Sequence, residues 1–317
     1  MTDEANNGTT LDLVVRSNLV GLRVDRAISL LSGLTRSVVR SLIDSGAVNV
    51  DGRLIEKSSV TLSEGQHLVV QLPSDEDSFI TPESDVAIDV VALDDSFVVV
   101  NKSPGVVVHP GAGQRTGTLV AGVLARFPEI QDLVDREICE PLRPGVVHRL
   151  DKGTSGLMVF ARTEVGYDSL SEQIGARSMQ RTYLALVQGH VKNERGLIDA
   201  PIGRSTRQPT LMTVRKGGRE ARTNYRVLER LESPYASTLL ELQLDTGRTH
   251  QIRVHLAALG HPVVNDTRYG HFRDRRLEAD RHFLHSTRLK FVHPVSSQDV
   301  VSSAALPKDL AELFDEA

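Results

Sequence analysis

The sequence predicts an α+β protein made of a small N-terminal unit and a larger unit that holds the rest of the chain. Two short helical patterns precede paired strand patterns between residues 16 and 72. Residues 73–95 then carry eight acidic residues and no basic one, which is typical of a solvated linker. A second series of strand and helix patterns begins near residue 86, and 317 residues are enough for two domains. We therefore expect a flexible tail at 1–15, a first domain at 16–72 and a second at 86–317.

The small domain is predicted to follow a strand near Leu11–Val15. Helices are expected over Asp25–Leu31 and Arg36–Asp44, and the hydroxyl of Thr35 is placed to cap the second. Arg36 and Arg40 lie four residues apart and share a face that the apolar residues of this helix do not use. Strands before and after an Asp-Gly turn, and another at His67–Leu72, complete the pattern.

These elements follow an order that resembles the S4 RNA-binding domain over about 55 residues. The resemblance rests on Arg23-Val-Asp-Arg-Ala, Thr35-Arg-Ser, Gly46-Ala-Val-Asn-Val-Asp-Gly and Gly65-Gln-His-Leu-Val-Val. It implies a basic helical face against folded RNA, which suits Arg36 and Arg40 by position. Without the resemblance, the same residues are ordinary surface charge on a small appendage.

Composition limits the class of protein. No apolar run approaches the roughly 18 residues of a membrane span, and the acidic N-terminus is unlike a signal peptide. The single cysteine, Cys139, excludes an internal disulfide and a cysteine-based zinc site. The histidines show no compact ligand spacing, and neither a phosphate-binding loop nor a dinucleotide fingerprint occurs. We expect a soluble cytoplasmic protein without metal or cofactor and without a membrane partner.

The charge is unevenly distributed. The net charge is −4, but residues 1–15 and 73–95 hold three and eight acidic residues and no basic ones. Removing those eleven acidic residues leaves +7 on the rest of the chain. Residues 197–228, read as strands joined by basic loops, add a cluster of arginines. A basic remainder of this kind is suited to phosphate.

The larger domain contains a buried strand from Phe97 and a helix over Leu119–Phe127, followed by a predicted loop at 129–143. A helix is expected over Tyr167–Ala176 and a strand over Arg181–Gly189. Alternation in this strand places Tyr183 on its buried face, where a tyrosine is most often a core residue.

A polar segment interrupts two apolar ones at the centre of the chain. Pro144-Gly145 predicts a turn and Val146-Val147 a short strand, while the apolar strand Leu157–Ala161 follows the polar run. Asp151 lies in between, flanked by Arg149 and Lys152, so it should stay ionised. On the residues alone it is a salt-bridge anchor or an activated nucleophile.

A third segment runs from Leu240 to Gly260. Leucines alternate as in a strand, Thr246-Gly247 predicts a turn, and Thr249 can cap a helix that ends before Gly260. Arg248 therefore falls at a junction between strand and helix, where loops commonly present functional groups.

Three motifs together resemble the RluA/RluD-type RNA pseudouridine synthases. They are His148-Arg-Leu-Asp-Lys-Gly-Thr-Ser-Gly-Leu157, Asn101-Lys-Ser-Pro-Gly105 with His109-Pro110, and Thr246-Gly-Arg-Thr-His-Gln-Ile-Arg253. Gly153 departs from the family, whose members often carry a second aspartate there. The resemblance implies a mixed, largely antiparallel central sheet with flanking helices.

The resemblance also implies roles for individual residues. Asp151 is expected to be the nucleophile, Tyr183 to lie against the target base, and Arg248 to pair with the catalytic aspartate. RNA contacts are expected from a further set: Arg149, Lys152, Arg36, Arg40, His109 and Arg253. For Arg253 a structural ion pair is the alternative.

The resemblance implies isomerisation of uridine to pseudouridine. An S4-like domain joined to this catalytic type resembles the subclass that acts on large-subunit ribosomal RNA, so the pre-ribosomal large subunit is the expected partner. Transfer RNA is an alternative substrate, and a non-catalytic RNA-binding protein of ribosome assembly is an alternative function. A retaining glycosidase also uses a carboxylate nucleophile but needs a second carboxyl group about 5 Å away, which none of the motifs supplies. We expect a monomer.

Overall fold

The computed structural model describes residues 10–34, 36–44, 46–72, 79–111, 114–208, 210–278 and 280–315. The chain divides into two units, Met1–Ile80 with Gly111–Arg115, and Thr81–Pro110 with Thr116–Ala317. The boundary after Ile80 falls inside the segment predicted as a linker. None of the helices in the described ranges has the length and apolar character needed to cross a membrane.

The first unit is a four-stranded antiparallel sheet with two helices. Its elements are β1 Thr10–Val14, α1 Val24–Ser32, α2 Arg36–Asp44, β2 Val48–Val50, β3 Arg53–Leu54 and β4 His67–Gln71. The strand order is β1-β4-β2-β3. Apolar side chains of both helices and of the sheet, among them Ile28, Val39 and Val70, form one buried cluster.

The ends of the two helices follow local chemistry. Gly33 ends α1 with a φ of 72°, a conformation that glycine adopts readily, and its N–H donates to the carbonyl of Ser29. Thr35, the predicted cap of α2, lies outside the described residues, as does the side chain of Arg36. Arg40 is exposed on α2.

The second unit is built on a nine-stranded sheet. Its first half contains β5 Val90–Leu93, β6 Phe97–Lys102, α3 Leu119–Arg126, a 3₁₀ helix Pro128–Gln131, α4 Asp132–Asp135, β7 Ser155–Ala161 and α5 Glu164–Gly175. Its second half contains β8 Gln180–Gln188, β9 Arg195–Asp199, β10 Ile202–Arg204, β11 Met212–Val214, β12 Arg222–Leu231, β13 Ser237–Leu244, α6 Gln251–Ala258, β14 Leu284–Val292, β15 Asp299–Ser303 and α7 Lys308–Asp315.

The sheet order is β5-β6-β7-β14-β8-β13-β12-β9, with β15 added to β14. Among the strands of the described ranges, only β7 and β14 pair in parallel. The mixed, largely antiparallel sheet is thereby confirmed. The parallel pair sets His285 beside Ser155, so the chain that precedes β14 returns next to the loop that precedes β7.

Three local predictions are wrong. Residues 129–143 are not all loop, because Pro128 opens a 3₁₀ helix that continues into α4. Val146-Val147 forms no strand and contributes a single bridge from Val146 to Phe160. Thr249 does not cap α6, whose preceding residue is His250 with a φ of 55°.

Two buried histidines should make stability depend on pH. His148 Nε2 accepts the N–H of Val159, and burial lowers the pKa values of His148 and His282 to about 3. Between about pH 6.5 and 3 the unfolded chain therefore binds protons that the folded chain does not, so stability falls as pH falls. Each histidine should cost about 2 kcal/mol of unfolding free energy between pH 8 and pH 5.

Urea unfolding of wild type and His148→Gln at both pH values checks this expectation. The glutamine variant should lose about 2 kcal/mol less than wild type between pH 8 and pH 5, because its side chain does not titrate. Equal losses in both proteins would contradict the assignment of His148 as a neutral buried base.

Candidate active site

A cavity of about 450 Å³ opens in the second unit where the loop before β7 meets the junction of β13 and α6. Residues from all three predicted motifs line it, including His109, Arg149, Asp151, Tyr183, Arg248 and Arg253. A concave site in which several titratable groups converge is the natural candidate for an active site.

Asp151 is one of two acidic residues, with Asp245, that line this cavity. Its side chain is 18 % exposed, and Arg253 Nη1 donates to Oδ2 at 3.1 Å. Burial raises the pKa of Asp151, but the adjacent His250 and Arg253 lower it by more, so that it lies below the usual value. The carboxylate is ionised at neutral pH.

Arg253 is held in turn by a second carboxylate. Its Nε and Nη2 donate to the two oxygens of Asp266 at 2.7 and 2.9 Å, and the Asp266 side chain is fully buried. This bidentate geometry fixes the guanidinium plane. The remaining nitrogen, Nη1, is thereby aimed at Asp151, and the arginine bridges both acids.

Arg248 does not occupy the place predicted for it. Its Nε donates to the carbonyl of Glu220 at 2.9 Å, and its backbone N–H donates to Gln251. The arginine that pairs with Asp151 is Arg253, because α6 starts at Gln251 and turns that later residue toward the carboxylate. The expected pairing is corrected accordingly, although Arg248 still lines the cavity.

The buried Lys102 anchors the loop that carries Asp151. This lysine is 1 % exposed, and its Nζ donates to the carbonyls of Ser103, Val106 and Lys152. Burial lowers its pKa to about 7. Three main-chain acceptors around one amine hold the backbone next to Asp151 in a single position.

Gly153 is required by the same loop. A Cβ atom at this position would overlap the carbonyl oxygen of Asp280 and the ring of His282. The departure from the family at Gly153 therefore accompanies a close approach of the segment before β14. An aspartate there would force Asp280 and His282 to move.

His250 lies on the other side of the Asp151 carboxylate. Its Nε2 is 3.9 Å from Oδ1, and its Nδ1 is 2.6 Å from the hydroxyl of Tyr269. The Tyr269 oxygen accepts the N–H of Met212, so its own hydrogen is available to Nδ1. Burial lowers the pKa of His250, and the charge of Asp151 opposes that shift. With Nδ1 turned to Tyr269, the proton on Nε2 faces Asp151.

The backbone at His250 is strained. A φ of 55° is uncommon for a residue other than glycine, and such outliers gather at functional sites. This backbone conformation places the imidazole between Tyr269 and Asp151, and the side chain is only 14 % exposed.

The remaining predicted residues take different places. Tyr183 is 4 % exposed on β8 and lines the cavity, and burial raises the pKa of its phenol. Arg149 Nη1 donates to His109 Nε2 at 3.1 Å. Lys152 is exposed. In the described part of the chain, no three histidine, cysteine or acidic side chains are grouped as metal ligands would be.

Four residues of the site were not singled out from the sequence: Lys102, His250, Asp266 and Tyr269. Lys102 and His250 stand inside the quoted motifs, so proximity to a motif was an available signal. Asp266 and Tyr269 follow α6 in a stretch without any pattern. Only the folded chain brings them to Asp151.

Several known proteins are similar to this chain over most of its length. The family profile described as RNA pseudouridylate synthase matches residues 96–258. A ribosomal large subunit pseudouridine synthase D of Nitrosomonas europaea is 38% identical, over 97% of this chain and 88% of its own. The uncharacterized RNA pseudouridine synthase YlyB of Bacillus subtilis is 36% identical, over 96% and 97%. The solved structure of human RNA pseudouridylate synthase domain containing 1 covers 75% of this chain and 97% of its own, with a TM-score of 0.53 at 27% identity.

Proposed function

Because the chain belongs to the RNA pseudouridine synthase family, we propose that it isomerises uridine in large-subunit ribosomal RNA with Asp151 as the nucleophile. The observation that carries this proposal is an ionised Asp151 carboxylate held by Arg253 at a cavity that also contains Tyr183. The ribosomal substrate is supported by relatives named ribosomal large subunit pseudouridine synthase D.

The reaction needs a nucleophile and no redox partner. The bond from N1 of uracil to C1′ of the ribose breaks, the base turns, and a bond from C5 to C1′ forms. One proton leaves C5 and one is taken up at N1, so substrate and product are isomers. Asp151 starts this either by attack at C1′ or by removing the C2′ proton, and addition to C6 of the base is a third route. Arg253 keeps the carboxylate ionised and oriented during these steps.

Tyr183 contributes a ring rather than a base. Because the pKa of its phenol is raised, the hydroxyl stays protonated at neutral pH and is a poor proton acceptor. Its ring can stack on the uracil that enters the cavity. Asp151 is free again once C5 has joined C1′, and it then removes the C5 proton.

Arg149 is proposed to assist base flipping. A uridine must leave its stack to reach Asp151, which costs a few kcal/mol. The Arg149 guanidinium, positioned by His109, can stack in the vacated space. Exposed Lys152 next to Asp151 supplies positive charge for the adjacent phosphates.

The first unit is proposed to be an S4 domain that binds folded RNA. Two helices on a small antiparallel sheet and the exposed Arg40 on α2 support this assignment. We propose that the enzyme acts as a monomer.

The proposed function is tested by mapping pseudouridine with carbodiimide and reverse transcription in total RNA of a deletion strain. The strain is complemented with wild type or with Asp151→Asn. Stops in large-subunit ribosomal RNA that return only with wild type are the expected result. Stops that depend on the enzyme in transfer RNA would identify transfer RNA as the substrate instead. If no RNA changed, a non-catalytic protein of ribosome assembly would be favoured.

His250 is expected to position Asp151 through its Nε2 proton. In His250→Gln the amide nitrogen takes the place of Nε2, whereas in His250→Asn the amide takes the place of Nδ1. We expect the single-turnover rate constant to fall about tenfold in the asparagine variant, which corresponds to about 1.4 kcal/mol in the barrier, and to fall less in the glutamine variant. The measurement is single-turnover pseudouridine formation. If contact with Tyr269 alone mattered, asparagine would be the better substitute.

A further inference from the structure

A second cleft of about 300 Å³ lies in the same unit, between the turn before β13 and the basic loop before β14. Residues Pro234, Tyr235, Phe272, Arg273, Arg275 and Arg276 line it. The rings of Tyr235 and Phe272 have centroids 4.5 Å apart and are tilted by 58°. The cleft combines a partly exposed aromatic pair with three arginines.

The aromatic pair is unusual for this chain, which contains 4% aromatic residues and no tryptophan. Aromatic rings usually contribute to the hydrophobic core, yet the side chains of Tyr235 and Phe272 are each only half-buried. Aromatic faces left open beside arginines provide the two groups that bind single-stranded nucleic acid. One stacks on bases, and the other faces phosphates.

The cleft is also rigidly framed. The Tyr235 hydroxyl donates to Asp274 Oδ2 at 2.6 Å, and Arg276 donates to both oxygens of the same carboxylate. Asp274 is 5% exposed, so this buried acid holds the tyrosine ring and one arginine. Its charge is matched by Arg276, and the exposed Arg273 and Arg275 leave the rim of the cleft positive.

The cleft is separate from the catalytic cavity. Ala236, which follows Tyr235, accepts the N–H of Gly189, six residues beyond Tyr183 along β8. At a rise of about 3.3 Å per residue, Tyr183 in the catalytic cavity lies roughly 20 Å from Gly189 beside the cleft. Stacked nucleotides spaced by 3.4 Å would cover that distance in about six steps.

We propose that this cleft binds an unpaired nucleotide of the RNA substrate away from the target uridine. The nucleobase stacks on the Tyr235–Phe272 pair, and the phosphates on either side face Arg273 and Arg275. The inference rests on the proposed action on RNA and extends it, because it assigns a site for flanking sequence. Such a site would let the enzyme select among uridines that fit the catalytic cavity equally well.

Two variants separate the two parts of the subsite. Phe272→Leu removes the aromatic face and keeps a large apolar side chain, while Arg273→Gln with Arg275→Gln removes both charges. Arg136→Gln is the matched control, because Arg136 is exposed, lies outside both cavities and forms a surface ion pair with the exposed Glu164. The probe is a fluorescein-labelled oligouridylate of about 12 nucleotides, which a single-stranded site of this kind would hold.

Affinity is measured by fluorescence anisotropy with the full chain over a range of salt concentrations. Phe272→Leu should weaken binding about tenfold without changing the salt dependence, because stacking carries no charge. The double arginine variant should lower the slope of log affinity against log salt by about 1.4, that is about 0.7 for each phosphate of a single strand. Arg136→Gln should match wild type in both respects.

Wild-type binding by both variants would overturn the subsite. A lower slope with no effect of Phe272→Leu would overturn base stacking, since charge alone would then account for the binding. The outcome is independent of the catalytic proposal, because binding is the readout. A wild-type protein that bound RNA through this cleft but formed no pseudouridine would contradict the proposed function and leave the subsite intact.

Discussion

Replacing Asp151 by asparagine is expected to abolish pseudouridine formation while the protein stays folded. Asparagine has the shape of aspartate, but its neutral amide neither attacks C1′ nor removes a proton from C2′. Loss of a nucleophile typically costs at least about 10⁴-fold in rate. The measurement is release of tritium from RNA labelled at C5 of uridine, because that hydrogen leaves when C5 joins the ribose.

The folded state should tolerate this change. Asp151 is partly buried, so removing its charge also removes a desolvation cost, and Arg253 keeps both of its bonds to Asp266. Thermal unfolding followed by circular dichroism should show a midpoint close to that of wild type. Retained activity above about one part in 10³ with a normal unfolding curve would exclude Asp151 as the nucleophile.

Helices and strands could be predicted from the sequence wherever a single hydrophobic periodicity dominates a segment. The predicted helix Arg36–Asp44 is the observed α2, and the predicted strand Arg181–Gly189 differs from β8 by one residue at each end. Residues 129–143 were missed because short helices carry too few turns to show a period.

The site could be predicted from the sequence only where its residues are neighbours along the chain. The position of Asp151 between two cations could be read directly, but its real partner is remote in sequence. Arg248 and Arg253 stand five residues apart, and the choice between them depends on where α6 begins. That start depends on the backbone of His250, whose positive φ no pattern in the sequence indicated.

The second acid of the site illustrates the same limit. Asp266 reaches Arg253 through the segment between α6 and β14, and it is the parallel pairing of β14 with β7 that brings this segment to the Asp151 loop. Pairing between strands more than 120 residues apart leaves no local trace in the sequence. The bridge from Asp266 through Arg253 to Asp151 is therefore a property of the tertiary fold.

Replacing Arg253 by methionine is expected to damage stability and activity together. The Asp266 carboxylate would lose both of its bonds to the guanidinium in a fully buried position, and Asp151 would lose its nearest cation. Removing one partner of a buried pair typically costs about 3–5 kcal/mol. Urea unfolding of the variant against wild type measures this loss, and equal stability would refute the bridging role.

The double variant Arg253→Met with Asp266→Asn separates structure from catalysis. Neutralising Asp266 removes the uncompensated buried charge, so part of the lost stability should return. Activity should not return, because Asp151 would still lack Arg253. Burial alone raises the pKa of a carboxyl group, so the acid limb of kcat/KM should move to higher pH in both variants. Recovery of activity with stability would show that Arg253 acts only on the fold, whereas a shifted pH profile in a stable protein would place its effect on the Asp151 carboxylate.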